Sequence, residues 1–183
     1  MRVSTLLVIF ALVGAPTGWL LLEQRDVDTA ESRLAAVASE IAGRDVQVHC
    51  PGAIERLTDI SPNAGSVHFG PDGQPGDFMK LSTETCSALE DMNGDQAKVS
   101  KALHVLMHES WHLAGIQDEA KADCYALQRV EFAALQLGAA PTDAQALARR
   151  AYVDRQETAP ADYRTYECRD GGALDLSPSP NWP

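Results

Sequence analysis

The sequence predicts a small α+β domain. Apolar residues at helical spacing dominate the C-terminal half, and two alternating segments flank a turn dense in Gly and Pro at residues 70–77. A chain of 183 residues is long enough for one modest core once its ends are set aside. The expected layout is a central active-site helix, two further C-terminal helices and a short β-hairpin, behind an N-terminal transmembrane helix. Residues 1–25 form the anchor segment, 26–170 the domain and 171–183 a tail.

Arg2 precedes an apolar run from Val3 to Leu22 that carries no charge. Such a run can span a bilayer core of roughly 30 Å. A cleaved signal peptide is the rival, with Gly14, Ala15 and Gly18 as candidate cleavage positions. Pro16 disfavours cleavage after Ala15, so an uncleaved anchor is expected. Either way the rest of the chain is expected outside the cytoplasm, anchored or secreted.

Asp28 to Ala42 reads as a helix, with Glu31 completing a capping box and Leu34, Val37, Ala38 and Ile41 forming an apolar stripe. Asp45 to His49 alternates as a short strand, and Pro51 to Gly65 reads as irregular. Ser66–Phe69 and Phe78–Leu81 are the hairpin arms. Thr83 starts a short helix that carries Cys86 and Leu89, and Asn93-Gly94 breaks the chain. The central helix runs from Gln96 to Ala114 and stops at Gly115. A second helix is expected over Asp118–Leu137 and a third over Thr142–Glu157. The tail, rich in Pro and Ser, is expected to be disordered.

Cys50, Cys86, Cys124 and Cys168 are even in number and lack a C-x-x-C pair. In an oxidising space they make two disulfides. Three pairings are open. The one expected joins Cys50 to Cys86 and Cys124 to Cys168, since each link closes a moderate loop. The net charge of -11 argues against nucleic acid and against an anionic membrane surface as partners.

The central helix contains His108-Glu109-Ser110-Trp111-His112. Two His four residues apart share one helix face and can reach one ion, while Glu109 lies about 100° around the helix, beside that ion. With His108 at zero, His112 falls at about 40° and His104 at about -40°. Leu103, Leu106, Met107, Leu113 and Ala114 fall on the far side. The His stripe therefore faces away from the core, as the floor of an open cleft. His104 is expected to be solvated or to support the site indirectly.

A zinc hydrolase needs a third protein ligand and one position for water. Asp118 and Glu119 follow the Gly115 stop. Asp118 has a separate use as a helix N-cap. Glu119 and Asp123 share the inward face of the second helix, where a buried carboxylate needs a partner. Glu119 is the expected third ligand, with Asp118 as the alternative, and Asp123 is expected to support a ligand imidazole.

The H-E-x-x-H run resembles the zincin metallopeptidases. His108 to Asp118 is similar to the H-E-x-x-H-x-x-G-x-x-D form of metzincins. Glu119-Ala120-Lys121-Ala122-Asp123 resembles the E-x-x-A-D run of gluzincins. The chain departs from both: gluzincins place their Glu farther downstream, and no Met follows Met107 to supply the metzincin Met-turn. The resemblance covers His104 to Gln128. It implies a Zn2+ cofactor, a peptide or protein substrate, and Glu109 as the general base that takes a proton from the attacking water. It also implies an oxyanion donor, for which Tyr125, Tyr152, Tyr163, Tyr166 and His68 are candidates. The hairpin edge would receive an extended peptide.

A second function class is a non-catalytic metal-binding domain of the cell envelope that uses the same site structurally. Glu109 discriminates, because a structural site needs no base. A di-iron carboxylate protein is disfavoured, since its fold needs a second Glu-x-x-His motif and the chain has none.

Overall fold

One 18-residue helix with an apolar face organises the rest. In the computed structural model, which describes residues 29–56 and 63–176, the helix α4 (Gln96–Leu113) lies against the sheet, α3, α5, α6 and α7. Leu103, Leu106 and Met107 are fully buried beneath it. Asp95 caps its first turn by accepting from the amides of Ala97 and Lys98. Gly115, at φ 92°, turns the chain at its end. Ala114 lies beyond the last helical residue and is exposed, so it leaves the core stripe on which the helical wheel put it.

The described residues form an α+β fold. Ahead of α4 come α1 (residues 29–42), β1 (Gln47–His49), α2 (Ala53–Arg56), β2 (Gly65–Phe69), β3 (Pro75–Leu81) and α3 (Thr83–Glu90). After it come α5 (Glu119–Leu127), α6 (Val130–Gln136), α7 (Pro141–Thr158) and a 3-10 turn at Ala161–Tyr163. The expected N-terminal span, the Asp28 cap and residues 177–183 of the tail lie outside the described residues. Among the described residues no helix is long and apolar enough to cross a membrane.

The sheet has the order β1-β3-β2, with β1 parallel and β2 antiparallel to β3. β2 is thus an edge strand. β3 begins at Pro75, three residues before the expected arm, because the turn closes within Gly70–Gln74. There the Gly70 amide donates to the Gln74 carbonyl at 2.8 Å, and Asp72 accepts from the Gln74 amide at 3.1 Å. A one-turn helix, α2, occupies part of the segment expected to be irregular; Glu55 reaches back to accept from the Gly52 amide.

The helix expected over 118–137 is two helices. The break falls at Gln128–Arg129. The Gln128 amide donates to the Leu174 carbonyl at 2.9 Å and accepts from the Leu176 amide at 2.7 Å. A C-terminal segment thereby docks at the break between the two helices. Residues 171–176, placed with the disordered tail by composition, carry these bonds and one from the Gly171 amide to Asp175.

Two disulfides join Cys50 to Cys86 and Cys124 to Cys168, the pairing expected from loop length. They suit an oxidising compartment. The first ties β1 to α3, and the second ties α5 to the C-terminal segment.

Candidate metal centre

The helical spacing of His104, His108 and His112 puts all three imidazoles on one side of α4, away from Leu103, Leu106 and Met107. That side forms the floor of a half-open cavity, and the side chains on it are nonetheless buried. The three His are 5–7% exposed and Glu109 is 7% exposed, because α5, α7, β2 and the C-terminal segment wall a cavity of about 1020 Å³ over them. His104 is accordingly buried, a correction to the solvated reading.

Three donor atoms converge. His108 Nε2 lies 2.9 Å from His112 Nε2 and 3.0 Å from Glu119 Oε2, and His112 Nε2 lies 3.4 Å from the same oxygen. Donors on a tetrahedral ion with bonds of about 2.0–2.1 Å sit about 3.3 Å apart. The three groups can therefore hold a metal ion. The orientation of His112 supports this fit. Its Nδ1–H donates to the Ile116 carbonyl at 2.6 Å, which leaves the Nε2 lone pair aimed at His108. Two ring lone pairs so close repel each other unless a proton or cation lies between them. The chemistry of the set, two imidazoles and one carboxylate, suits a borderline divalent cation.

Asp118 stays out of the cluster. It caps α5 by accepting from the Lys121 amide at 2.7 Å. Glu119, the next residue, starts the helix and faces the imidazoles. The Gly115 turn and this cap together set α5 at the angle that brings Glu119 in.

Asp123, one helical turn farther on, is 3% exposed. Its Oδ1 lies 3.2 Å from His104 Nε2 and 3.7 Å from His108 Nδ1. Neither ring nitrogen has a hydrogen-bond partner among the described residues. The partner of Asp123 that the sequence did not reveal is Arg155, on α7. Its guanidinium makes two bonds to the carboxylate, one of them from Nε at 3.2 Å. Burial pushes the Asp123 carboxyl up, but the contacts with His104 and Arg155 outweigh it and hold the group below the usual carboxylate range. His104, His108 and Asp123 form a second set of close donor atoms. The Arg155 cation on the same carboxylate makes that set the poorer cation site.

Burial, with the neighbouring His104 and His112, pushes the His108 imidazole down to about 3. It therefore stays neutral near neutral pH, as a ligand must. Burial, with the charge of Glu119, pushes the Glu109 carboxyl up to about 8. Its Oε2 is buried and unpartnered among the described residues. Gly65 on β2 lies directly against this side chain: a Cβ there would meet Glu109 Cγ at 2.7 Å.

Of the five candidate donors, Tyr163 reaches the site. Its ring stacks on His108 at 5.6 Å and 21°, and its hydroxyl lies close enough to Glu119 to feel that carboxylate. Burial and the charge of Glu119 push the phenol up to about 12. Tyr125 packs on Trp111, Tyr166 and His68 are exposed, and neither these nor Tyr152 lines the cavity. The Arg155 guanidinium also lies over the Tyr163 ring, 5.3 Å from its centroid. Phe69 meets the His112 ring edge-on at 6.0 Å.

Comparison with family models, with curated proteins and with solved structures yields no match to this chain.

Proposed function

We propose that the chain is a zinc-dependent peptidase of zincin type, working outside the cytoplasm and anchored or secreted through its N-terminal segment. One observation carries the reading. Three donor atoms, on His108, His112 and Glu119, converge in a cavity that also holds the unpartnered carboxylate oxygen of Glu109. A structural metal site has no use for that oxygen.

Zinc held by these three groups would supply a water of pKa near 7 and polarise a carbonyl. With a divalent cation beside it to favour its ionised form, Glu109 would accept a proton at Oε2 and pass it to the leaving amine. The Tyr163 hydroxyl turns from Glu119 to the carbonyl oxygen as negative charge develops there. Asp123, paired with Arg155, lies 3.7 Å from His108 Nδ1, and a small closing movement would let it accept that N–H and fix the ring. The edge strand β2 walls the cavity with Gly65, Ser66, Val67 and Phe69, so an extended peptide can pair with it.

The test is metal content by elemental analysis of the purified chain, then cleavage of a broad peptide library with and without Glu109→Gln. The reading expects one zinc per chain and cleavage that Glu109→Gln abolishes. Bound zinc without Glu109-dependent cleavage would favour the non-catalytic envelope domain. No bound metal would sink both.

A further inference from the structure

The segment after α7 contributes the residue that covers the metal-ligand candidates, yet little burial holds it. Of residues 159–176 only Ala159 is buried. Regular structure there is confined to the 3-10 turn that ends at Tyr163. The ties of the segment to α5 and its cap include the two bonds of the Gln128 amide, to Leu174 and Leu176, the Cys124–Cys168 disulfide, and Tyr163 beside Glu119. A segment with so few apolar contacts opens locally at small cost once its covalent tie is cut.

The two disulfides differ in access. Both sulfurs of Cys50–Cys86 belong to residues 1% exposed in the core. In the other pair Cys124 is also sealed, but Cys168 is half-buried on the surface segment. An exposed disulfide is the one open to exchange.

We propose that Cys124–Cys168 is a reducible clasp that holds Tyr163 over the metal-ligand candidates. A small dithiol of the surroundings opens it without unfolding the domain. The thiolate of the dithiol attacks Cys168 Sγ, the S–S bond breaks, and Cys124 leaves as a thiolate that takes up a proton. The second thiol of the dithiol then displaces Cys168. The dithiol ends as a cyclic disulfide and the protein holds two thiols. Tyr163, five residues before Cys168 on the chain side nearer α7, loses its fixed place on His108 and beside Glu119. The effect on metal affinity rests on the proposed zinc site; the clasp itself does not.

The test treats the full chain with graded dithiothreitol and removes the reagent without air. Free thiols are counted, helicity is followed by circular dichroism, and trypsin nicking is mapped at the exposed Arg164 and Arg169. Zinc affinity is measured by competition with a chromophoric chelator. The expected result is two thiols per chain, unchanged helicity, faster nicking at both arginines and zinc bound about ten-fold more weakly, the scale of a lost outer partner. In Tyr163→Phe the affinity is already reduced and reduction adds nothing, since both act through one group. Two thiols with nicking and affinity unchanged would overturn the clasp. So would four thiols appearing together with loss of helicity, or a Cys124–Cys168 bond as resistant as Cys50–Cys86. If the chain binds no zinc, the zinc reading fails while the nicking rates still decide the clasp.

Discussion

Gly65 on the edge strand and Glu109 on the central helix touch so closely that a side chain on the first has no room beside the second. A Cβ on Gly65 would lie 2.7 Å from Glu109 Cγ, and 2.9 Å from both its Oε1 and Val105 Cγ1. Glu109 is itself buried, and the room left to it is the cavity that it lines. Gly65→Ala should therefore displace the carboxylate or push β2 off α4. Peptide cleavage should fall at least about ten-fold, and stability by about 1–3 kcal/mol, the usual cost of overpacking. Zinc content should stay, because the ligand side chains lie elsewhere. Kinetics and metal analysis on one sample check both halves. Wild-type cleavage by Gly65→Ala would show that this approach does not position Glu109.

Arg155 and Asp123 meet across 32 residues of chain, and the aspartate side chain is 4% exposed. Removing the cation leaves a buried carboxylate without its strongest partner. Arg155→Ala should cost about 3–5 kcal/mol by denaturant unfolding. Arg155→Lys should recover only part, since Lys cannot offer the paired donors that the planar guanidinium presents. A loss under 1 kcal/mol for Arg155→Ala would mean that His104 alone neutralises the site.

The sign of the pH response of chelator-treated protein follows from two groups. His108 moves from 6.5 to about 3 on folding, so between those values the unfolded chain binds a proton that the native state does not. Stability from this group is full above pH 6.5 and falls as the pH drops toward 3. Glu109 moves the other way, from 4.5 to about 8, so there the native state keeps a proton that the unfolded chain has lost. Its contribution is full below pH 4.5 and is lost as the pH rises toward 8. Each pH unit in either window is worth at most roughly 1.4 kcal/mol. The two slopes should leave a maximum between about pH 4.5 and 6.5 in urea unfolding free energies. Glu109→Gln should flatten the alkaline arm and leave the acid arm. An unchanged alkaline arm in that variant would remove Glu109 as its cause.

What the sequence made legible was local. Helical periodicity placed α4 and its His stripe, Gly115 marked its stop, and loop length suggested the disulfide partners. What stayed hidden depends on contacts across the chain. Arg155 lies 32 residues from Asp123, on a helix with no spacing signal that points to it. The break between α5 and α6 falls at Gln128, whose side chain bonds Leu174 and Leu176 far along the chain, contacts that no propensity encodes. The burial of His104 had the same origin. A helical wheel shows which way a side chain faces, not whether α7 and the C-terminal segment roof that face. Gly65 read as the end of an irregular stretch, and its close fit to Glu109 emerges only once β2 lies on α4.

The neighbours Asp118 and Glu119 give the sharpest test, because one chain position separates a cap from a candidate ligand. Asp118 accepts from the Lys121 amide, and Glu119 Oε2 lies 3.0 Å from His108 Nε2. Asp118→Ala should cost about 1 kcal/mol in unfolding free energy through the lost cap and leave zinc stoichiometry at one. Glu119→Gln keeps size and helix position but removes the charge that a metal ligand needs. It should leave the stability of chelator-treated protein within about 0.5 kcal/mol, since the side chain is partly exposed, while zinc affinity falls at least about a hundred-fold. Paired zinc titrations and denaturant curves on the two variants read both effects. If Asp118→Ala loses the metal and Glu119→Gln keeps it, the ligand assignment is reversed and the turn after Gly115 must rearrange when the ion binds.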